Sequence, residues 1–261
     1  HDRSMTAGLA ELMQLSADML WQGFVVFFRL AAIVSLLPAF GERSVSVRVK
    51  LAVTLAFVLI TAPALPLAPS PPELDGLTIL VLTETIIGVM LGIGIRLFVM
   101  ALQTAGSIAA QSTSLSQILG GAAVDPLPAI GYILIVAGLA LATMTGLHVK
   151  AAALMILSYD ILPMGQFQDG GAVSSWGVAQ IANAFALAFT LAAPFVILSV
   201  IYNIALGAIN KAMPQLMVAF IGAPVITAGG LFVLMLAAPF MLEVWLSALD
   251  NFLASPLRVS R

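Results

Sequence analysis

Between Asp169 and Lys211 the chain runs for 41 residues without a charged side chain, and from Lys211 to Glu243 it runs for 31 more. A helix of that length facing water needs a polar stripe along its outer side, so these segments must be covered by lipid or by other protein. Four further apolar runs precede them: Met19–Phe40, Leu51–Leu67, Leu77–Leu102 and Leu127–Leu157, followed by Trp176–Ile209 and Leu216–Leu249. About 20 apolar residues cross the hydrocarbon core of a bilayer as a helix. Charged residues make up only 8% of the chain, against roughly 25% in soluble domains. The expected fold is therefore all-α: a polytopic membrane-type bundle of about six long, kinked helices arranged as hairpins. The last two runs exceed one straight crossing and should tilt, kink or project beyond the bilayer.

Proline and glycine punctuate the runs. Pro63, Pro66, Pro69, Pro71 and Pro72 make 63–75 a stiff loop. Pro194 and Pro224 fall inside the fifth and sixth runs and are expected to kink them. The most polar connection is 160–175, with Pro163, Gly165, Gly170 and Gly171. Arg43, Arg48 and Lys50 between the first two runs place that loop in the cytoplasm by the positive-inside rule. The same count puts Lys211 in the cytoplasm, while Arg258 and Arg261 fall on the other side against the rule. The first apolar run is long, carries Arg29 and has no preceding positive cluster, so it does not read as a cleavable signal.

Enzymatic chemistry has little to work with. The net charge of −2 gives no footprint for nucleic acid, and the absence of cysteine excludes disulfides, thiolate metal sites and cysteine nucleophiles. His148 is the one internal histidine, close to Lys150, and reads as a helix-end or interfacial residue. There is no H-E-x-x-H and no G-x-S-x-G pattern. Asp125, Asp160 and Asp169 lie at loop or helix-end positions rather than as a buried pair. No catalytic residue, metal or cofactor is expected.

Four features remain. Arg29, Glu84 and Arg96 are charges inside apolar runs, which are costly in a bilayer and mark function by default. Glu84 and Arg96 are twelve residues apart, about 120° around a helix, so their partners must lie on other elements. They either pair structurally or serve a proton relay or a solute path. Gly88 and Gly92 form a G-x-x-x-G pair suited to close helix packing, within the chain or against a neighbouring subunit. Asn203, Gly207 and Asn210 share one face at i, i+4 and i+7, followed by Lys211, Pro214 and Gln215 at a tight turn. Asparagines in apolar helices seek interhelical hydrogen bonds, so this face reads either as a subunit contact or as a solvated turn.

The segment 111–126 is uncharged until Asp125, too polar for a lipid-facing span and too uncharged for an ordinary loop. Non-helical backbone at membrane depth persists only where protein buries it or where it lines a watery cavity. It reads as a pore-lining or pore-closing loop, or as a short interfacial one. Its candidate residues are Gln111, Ser112, Ser114, Leu115, Ile118, Gly120, Gly121, Val124, Asp125 and Pro126.

Four blocks in sequence order resemble one known family. The pattern Asn203-x-x-Leu206-Gly207-x-x-x-Lys211-x-x-Pro214-Gln215, then Ile221-Gly222-x-Pro224, resembles the C-terminal signature of the FliR family of flagellar export-gate proteins, whose injectisome counterpart is SctT. Phe28-Arg29 through Pro38-x-Phe40-Gly41-Glu42-Arg43-Ser44-Val45 to Arg48-Val49-Lys50 is similar to its first loop. Gly88-x-x-x-Gly92 through Ala105-Gly106 to Val124-Asp125-Pro126 is similar to its middle. Thr145-Gly146-x-His148 and Leu162-Pro163-x-Gly165 are similar to the element that follows. Where the family tends to carry glycine-leucine-serine after a glutamine, Gln111 is here followed by Ser112-Thr113-Ser114-Leu115.

The resemblance implies a non-enzymatic subunit, present once in a helical gate with FliP-like and FliQ-like membrane proteins. It implies a FliP-like part over 5–170 joined to a FliQ-like hairpin over 171–261. The implied location is the bacterial inner membrane at the flagellar basal body, with unfolded secreted proteins as substrates and no cofactor. By the same likeness, 111–124 would pack across the pore and move when substrate arrives, driven by energy from outside this subunit. The 210–215 turn would meet FliQ-like, FlhB-like or FlhA-like neighbours. An injectisome subunit, or a small-molecule permease using Arg29, Glu84 and Arg96, are the alternative readings.

Overall fold

A computed structural model describes residues 2–42, 44–114, 129–166, 168–213 and 218–258, and the regular structure among them is helical. Seven α-helices follow in order: α1 Asp2–Leu36, α2 Val47–Thr61, α3 Leu74–Ser114, α4 Ala129–Met144, α5 Leu147–Ile161, α6 Gly170–Ala212 and α7 Val218–Ala254. Five helical spans, in α1, α2, α3, α6 and α7, are long and apolar enough to cross a membrane, and α4 with α5 counts as a sixth if the broken pair is one span. The polytopic helical architecture expected from the apolar runs is the one observed.

The boundaries differ in instructive ways. The fourth run is two helices, because Gly146 takes a left-handed backbone (φ +84°) between them, a conformation glycine adopts without steric cost. The third run does not stop at Leu102 but stays helical to Ser114. Gln, Ser and Thr do not break helices, and Ser107 and Ser112 return their hydroxyls to the carbonyls of Gln103 and Ala109. α6 and α7 continue through Pro194 and Pro224, so neither proline ends its helix.

The chain divides into two compact units. The first comprises His1–Arg96, Gly146–Val178 and Asn251–Arg261. Its interior is built from Val26, Leu30 and Ile33 of α1, Leu91 and Ile95 of α3, and Ala151 and Leu154 of α5, all without solvent exposure to within 1%. The proline-rich loop after α2 is held by α1. Pro66 has no N–H, so the carbonyl of Ala62 loses its ordinary helical donor; Gln22 Nε2 donates to it at 2.6 Å and reaches Leu65 O at 3.3 Å. Trp21 Nε1 donates to Pro69 O at 2.8 Å. Between α1 and α2, Gly41 N closes a turn on Leu37 O, Lys50 Nζ donates to Gly41 O at 2.9 Å, and Ser46 caps α2 through Val49 N.

The second unit comprises Leu97–Thr145 and Ala179–Asp250. Its core gathers Leu102 and Ala105 of α3, Leu134 of α4, Ala192 and Phe195 of α6, and Trp245 and Leu249 of α7. Trp245 is fully buried, and its indole N–H donates to Phe98 O at 2.8 Å. Gly138 leaves room beside it: a methyl there would stand 3.5 Å from the indole and 2.6 Å from Leu102.

Gly88 lies where α3 crosses α1. A Cβ at this position would overlap the carbonyl oxygen of Arg29 and approach Ala32 Cβ to 2.8 Å. Backbone cannot yield as a flexible side chain does, so Gly88→Ala should force the two helices apart. The expected cost is about 1–3 kcal/mol, as for other overpacked cores, read as lowered thermal stability in detergent. An unchanged midpoint would show that α1 and α3 do not need this close approach.

Candidate functional site

The two intramembrane arginines are both paired. Arg29 enters the first unit from α1 and meets Glu84 of α3, with Nε to Oε2 at 2.8 Å and a second guanidinium nitrogen to Oε1 at 3.0 Å. Neither side chain has solvent exposure. The third guanidinium nitrogen donates to the carbonyl and hydroxyl of Ser158 on α5, and the guanidinium carbon lies 3.8 Å from the ring centre of Tyr159. Glu84 Oε1 also accepts from the backbone N–H of Gly165, just beyond α5. Bidentate pairing plus added donors is the condition under which buried charges are tolerated. Arg96, also of α3, pairs with Glu42 in the turn after α1, and both remain about a third exposed or less. As the helical spacing required, each partner of Glu84 and Arg96 lies on another element.

Gly88 and Gly92 are occupied within the chain: the space above Gly88 is filled by Arg29 and Ala32, and that above Gly92 by Leu36. Close packing therefore accounts for the G-x-x-x-G pair. A cavity of about 220 Å³ lies alongside, lined by Thr83, Ile86, Ile87, Met90 and Val173 among others.

In the second unit, α3 and α4 flank the segment read as a pore loop. They meet glycine to glycine, since a Cβ on Gly106 would overlap the Cα of Gly131. Two residues from its end, α3 is tied to α6: Ser199 Oγ donates to Ser112 O at 2.7 Å. Of the loop candidates, Gln111 is exposed on α3, Ser112 is half-buried and Ser114 is the last residue of the helix. Leu115, Ile118, Gly120, Gly121, Val124, Asp125 and Pro126 lie outside the described residues, as do Pro214 and Gln215.

The asparagine face of α6 is open. Asn203, Gly207, Asn210 and Lys211 are exposed, and a Cβ at Gly207 would meet nothing within 4 Å. Asn203 Nδ2 donates to Ser199 Oγ at 3.2 Å. Ser158, Tyr159 and Ser199 escape a reading by sequence pattern alone. Ser199 carries a usable signal, because it precedes Asn203 by four and extends the polar row inward by one turn. No group of three or more His, Asp or Glu side chains among the described residues is placed to hold a metal.

Long apolar helices joined by buried polar ties define a polytopic helical membrane protein. The family model described as "Bacterial export proteins, family 1" matches residues 20–252. A flagellar biosynthetic protein FliR of Caulobacter vibrioides is 32% identical over 225 residues, covering 85% of this chain and 90% of that protein. The FliR of Escherichia coli K12 is 30% identical over 244 residues, covering 88% and 90%. The FliR of Pectobacterium carotovorum is 29% identical over 229 residues, covering 84% and 85%. The chain belongs to the FliR family of bacterial export proteins, a family of membrane proteins that are not enzymes.

Two outcomes follow from this geometry. Arg29→Met or Glu84→Met alone leaves an uncompensated buried charge and should cost about 3–5 kcal/mol, whereas the double substitution should recover most of it. Thermal unfolding of the three variants in detergent measures the difference; a double variant no better than the singles would contradict the pairing. At the glycine crossing the two alanine substitutions should differ. Gly106→Ala drives a methyl into backbone, while a methyl on Gly131 meets nothing closer than 3.4 Å. Gly106→Ala should lower the yield of folded protein and Gly131→Ala should not; equal losses would show that the crossing is not as tight as described.

Proposed function

We propose that this chain is an inner-membrane subunit of the flagellar protein export gate and forms part of the channel through which unfolded flagellar proteins pass. The observation that carries this reading is the open polar face of α6. Asn203, Gly207, Asn210 and Lys211 are exposed on an otherwise apolar helix, and polar groups on a membrane helix are stabilised by hydrogen bonds from another helix. The names of the three relatives, all flagellar biosynthetic proteins, support flagellar rather than injectisome use. The family's description as export proteins favours a protein substrate over a small solute. The burial of Arg29 and Glu84 removes two of the charges on which a permease reading would depend.

In this reading the chain stands once among several FliP-like and FliQ-like subunits at the base of a flagellum. The 111–126 segment closes the pore between the stems of α3 and α4, rearranging when substrate arrives. Gly120 and Gly121 give that segment low-cost freedom. The part over 5–170 takes the FliP-like place and 171–261 the FliQ-like hairpin; within the second unit, contact of α7 with α6 at Gly229 and Leu198 supports the latter. The 210–215 turn meets FliQ-like, FlhB-like or FlhA-like neighbours. Energy comes from outside this chain, so no step requires a catalytic side chain.

Native mass spectrometry of the tagged chain, co-expressed with its genomic neighbours, tests this directly. One copy among several of two other membrane proteins is the expected composition, and Asn203→Leu or Asn210→Leu should reduce the yield of that complex. A lone chain or a symmetric homo-oligomer would overturn the proposal.

A further inference from the structure

Ser112 lies two residues before Ser114, the last residue of α3. Within the second unit its carbonyl accepts from a side chain of another helix: Ser199 Oγ on α6 donates to Ser112 O at 2.7 Å. Ser199 is only 3% exposed, so water is a poor substitute for this donor. Having given its proton to Ser112, the hydroxyl accepts from Asn203 Nδ2 at 3.2 Å. Successive hydrogen bonds of this kind polarise and strengthen one another. Asn203 itself is exposed, in line with Gly207 and Asn210.

We propose that Ser199 is the positioning residue for the end of α3, and that Asn203 connects this tether to the outer face of α6. The chain Asn203–Ser199–Ser112 then joins a surface open to a neighbouring subunit to the stem from which the 115–126 stretch departs. A neighbour that engages the Asn203 amide fixes its rotamer, secures its donation to Ser199 and so holds the last turn of α3. Without that neighbour the tether is weaker and the stem frays more readily. The functional weight of this device rests on the reading of 111–126 as the pore loop and of Asn203 as a subunit contact.

The absence of cysteine makes a clean reporter available. Ala109, fully buried one turn before Ser112, is replaced by cysteine, whose thiol is reached only when the end of α3 opens, and its modification by a maleimide is timed in membranes from cells co-expressing the neighbouring genes. Losing one hydrogen bond of ordinary net strength changes a local opening equilibrium by roughly two- to tenfold. Ser199→Ala should accelerate labelling by that factor, and Ser199→Thr, which keeps the hydroxyl, should restore the parental rate. Asn203→Ala should accelerate labelling by a smaller factor. Unchanged labelling in Ser199→Ala, or a Ser199→Thr variant that labels as fast as Ser199→Ala, overturns the tether. Should Ser199→Ala not accumulate, Asn203→Ala decides, since its exposed side chain is not needed for the core: parental labelling there overturns the connection. Membrane leak and complex composition are read in the same strains. A complex that fails to form in the parent counts against the export-gate reading, while the labelling ratios still judge the tether.

Discussion

Arg29 carries a permanent charge into a part of the first unit that water does not reach, and the surrounding residues are arranged around that fact. Its planar fork meets both oxygens of Glu84, a third nitrogen meets Ser158, and the ring of Tyr159 covers the guanidinium face. Glu84 uses its remaining capacity on the N–H of Gly165. α1, α3, α5 and the turn after α5 are thus joined by one polar cluster. Close packing follows from the same contact, because Gly88 lets α3 approach α1 at the carbonyl of the residue that carries the charge. A buried pair of this kind is not a large source of stability in itself, since desolvation offsets most of its attraction. What it contributes is registry: in any other alignment of these helices a charge would stand unpaired.

The same rule, applied to backbone groups, explains the other cross-element contacts. An apolar surrounding supplies no water to an orphaned carbonyl, so each break in helical hydrogen bonding has to be met by a side chain. Gln22 meets the carbonyl of Ala62, which Pro66 cannot serve and which otherwise accepts only a long 3.3 Å bond from Leu65 N. Trp21 meets Pro69 in the same loop and Trp176 meets Pro256 after α7, whereas Trp245, fully buried, satisfies its own indole N–H on the carbonyl of Phe98 inside α3. Ser199 of α6 adds a cross-helix bond of the same kind at the carbonyl of Ser112 in α3. Many serine and threonine hydroxyls instead fold back on carbonyls of their own helix.

This use of polar groups explains which parts of the structure were legible. Long uncharged runs identified the helices, because the absence of polar side chains over tens of residues has one structural solution in a membrane. The i, i+4, i+7 spacing of Asn203, Gly207 and Asn210 placed them on one face, and the face is exposed as a row. The separation of Glu84 and Arg96 showed that each needed a partner elsewhere, but Glu84 is 55 residues from Arg29 in sequence, and nothing local names that partner. The break at Gly146 was hidden because the apolar pattern continues across it, and only the left-handed backbone angle ends the helix. The helical course of 111–114 was hidden for the opposite reason: serine and glutamine suggested a loop, where the Ser112 hydroxyl instead folds back on the carbonyl of Ala109. Ser199 looked like one more small residue until its distance to Ser112 gave it a role.

Length supplies the remaining constraint. At about 1.5 Å per residue a helix of 43 residues extends over about 65 Å, which is the size of α6, whereas the hydrocarbon core is about 30 Å thick. Tilt alone absorbs only part of that difference. Yet large apolar side chains remain exposed along its course, from Phe185 and Phe189 to Ile197, Ile201 and Ile204. Lipid covers a length of such a surface equal to its own thickness, and the excess needs protein. An isolated permease has no source for that cover, whereas a subunit stacked among others does. Exposed apolar side chains run along the whole of α6, from Val178 to Ile209, and the asparagine row lies among them in its C-terminal part. Under the proposed assembly a neighbour lying along α6 would meet both demands, supplying hydrogen bonds to the asparagines and cover to the apolar surface.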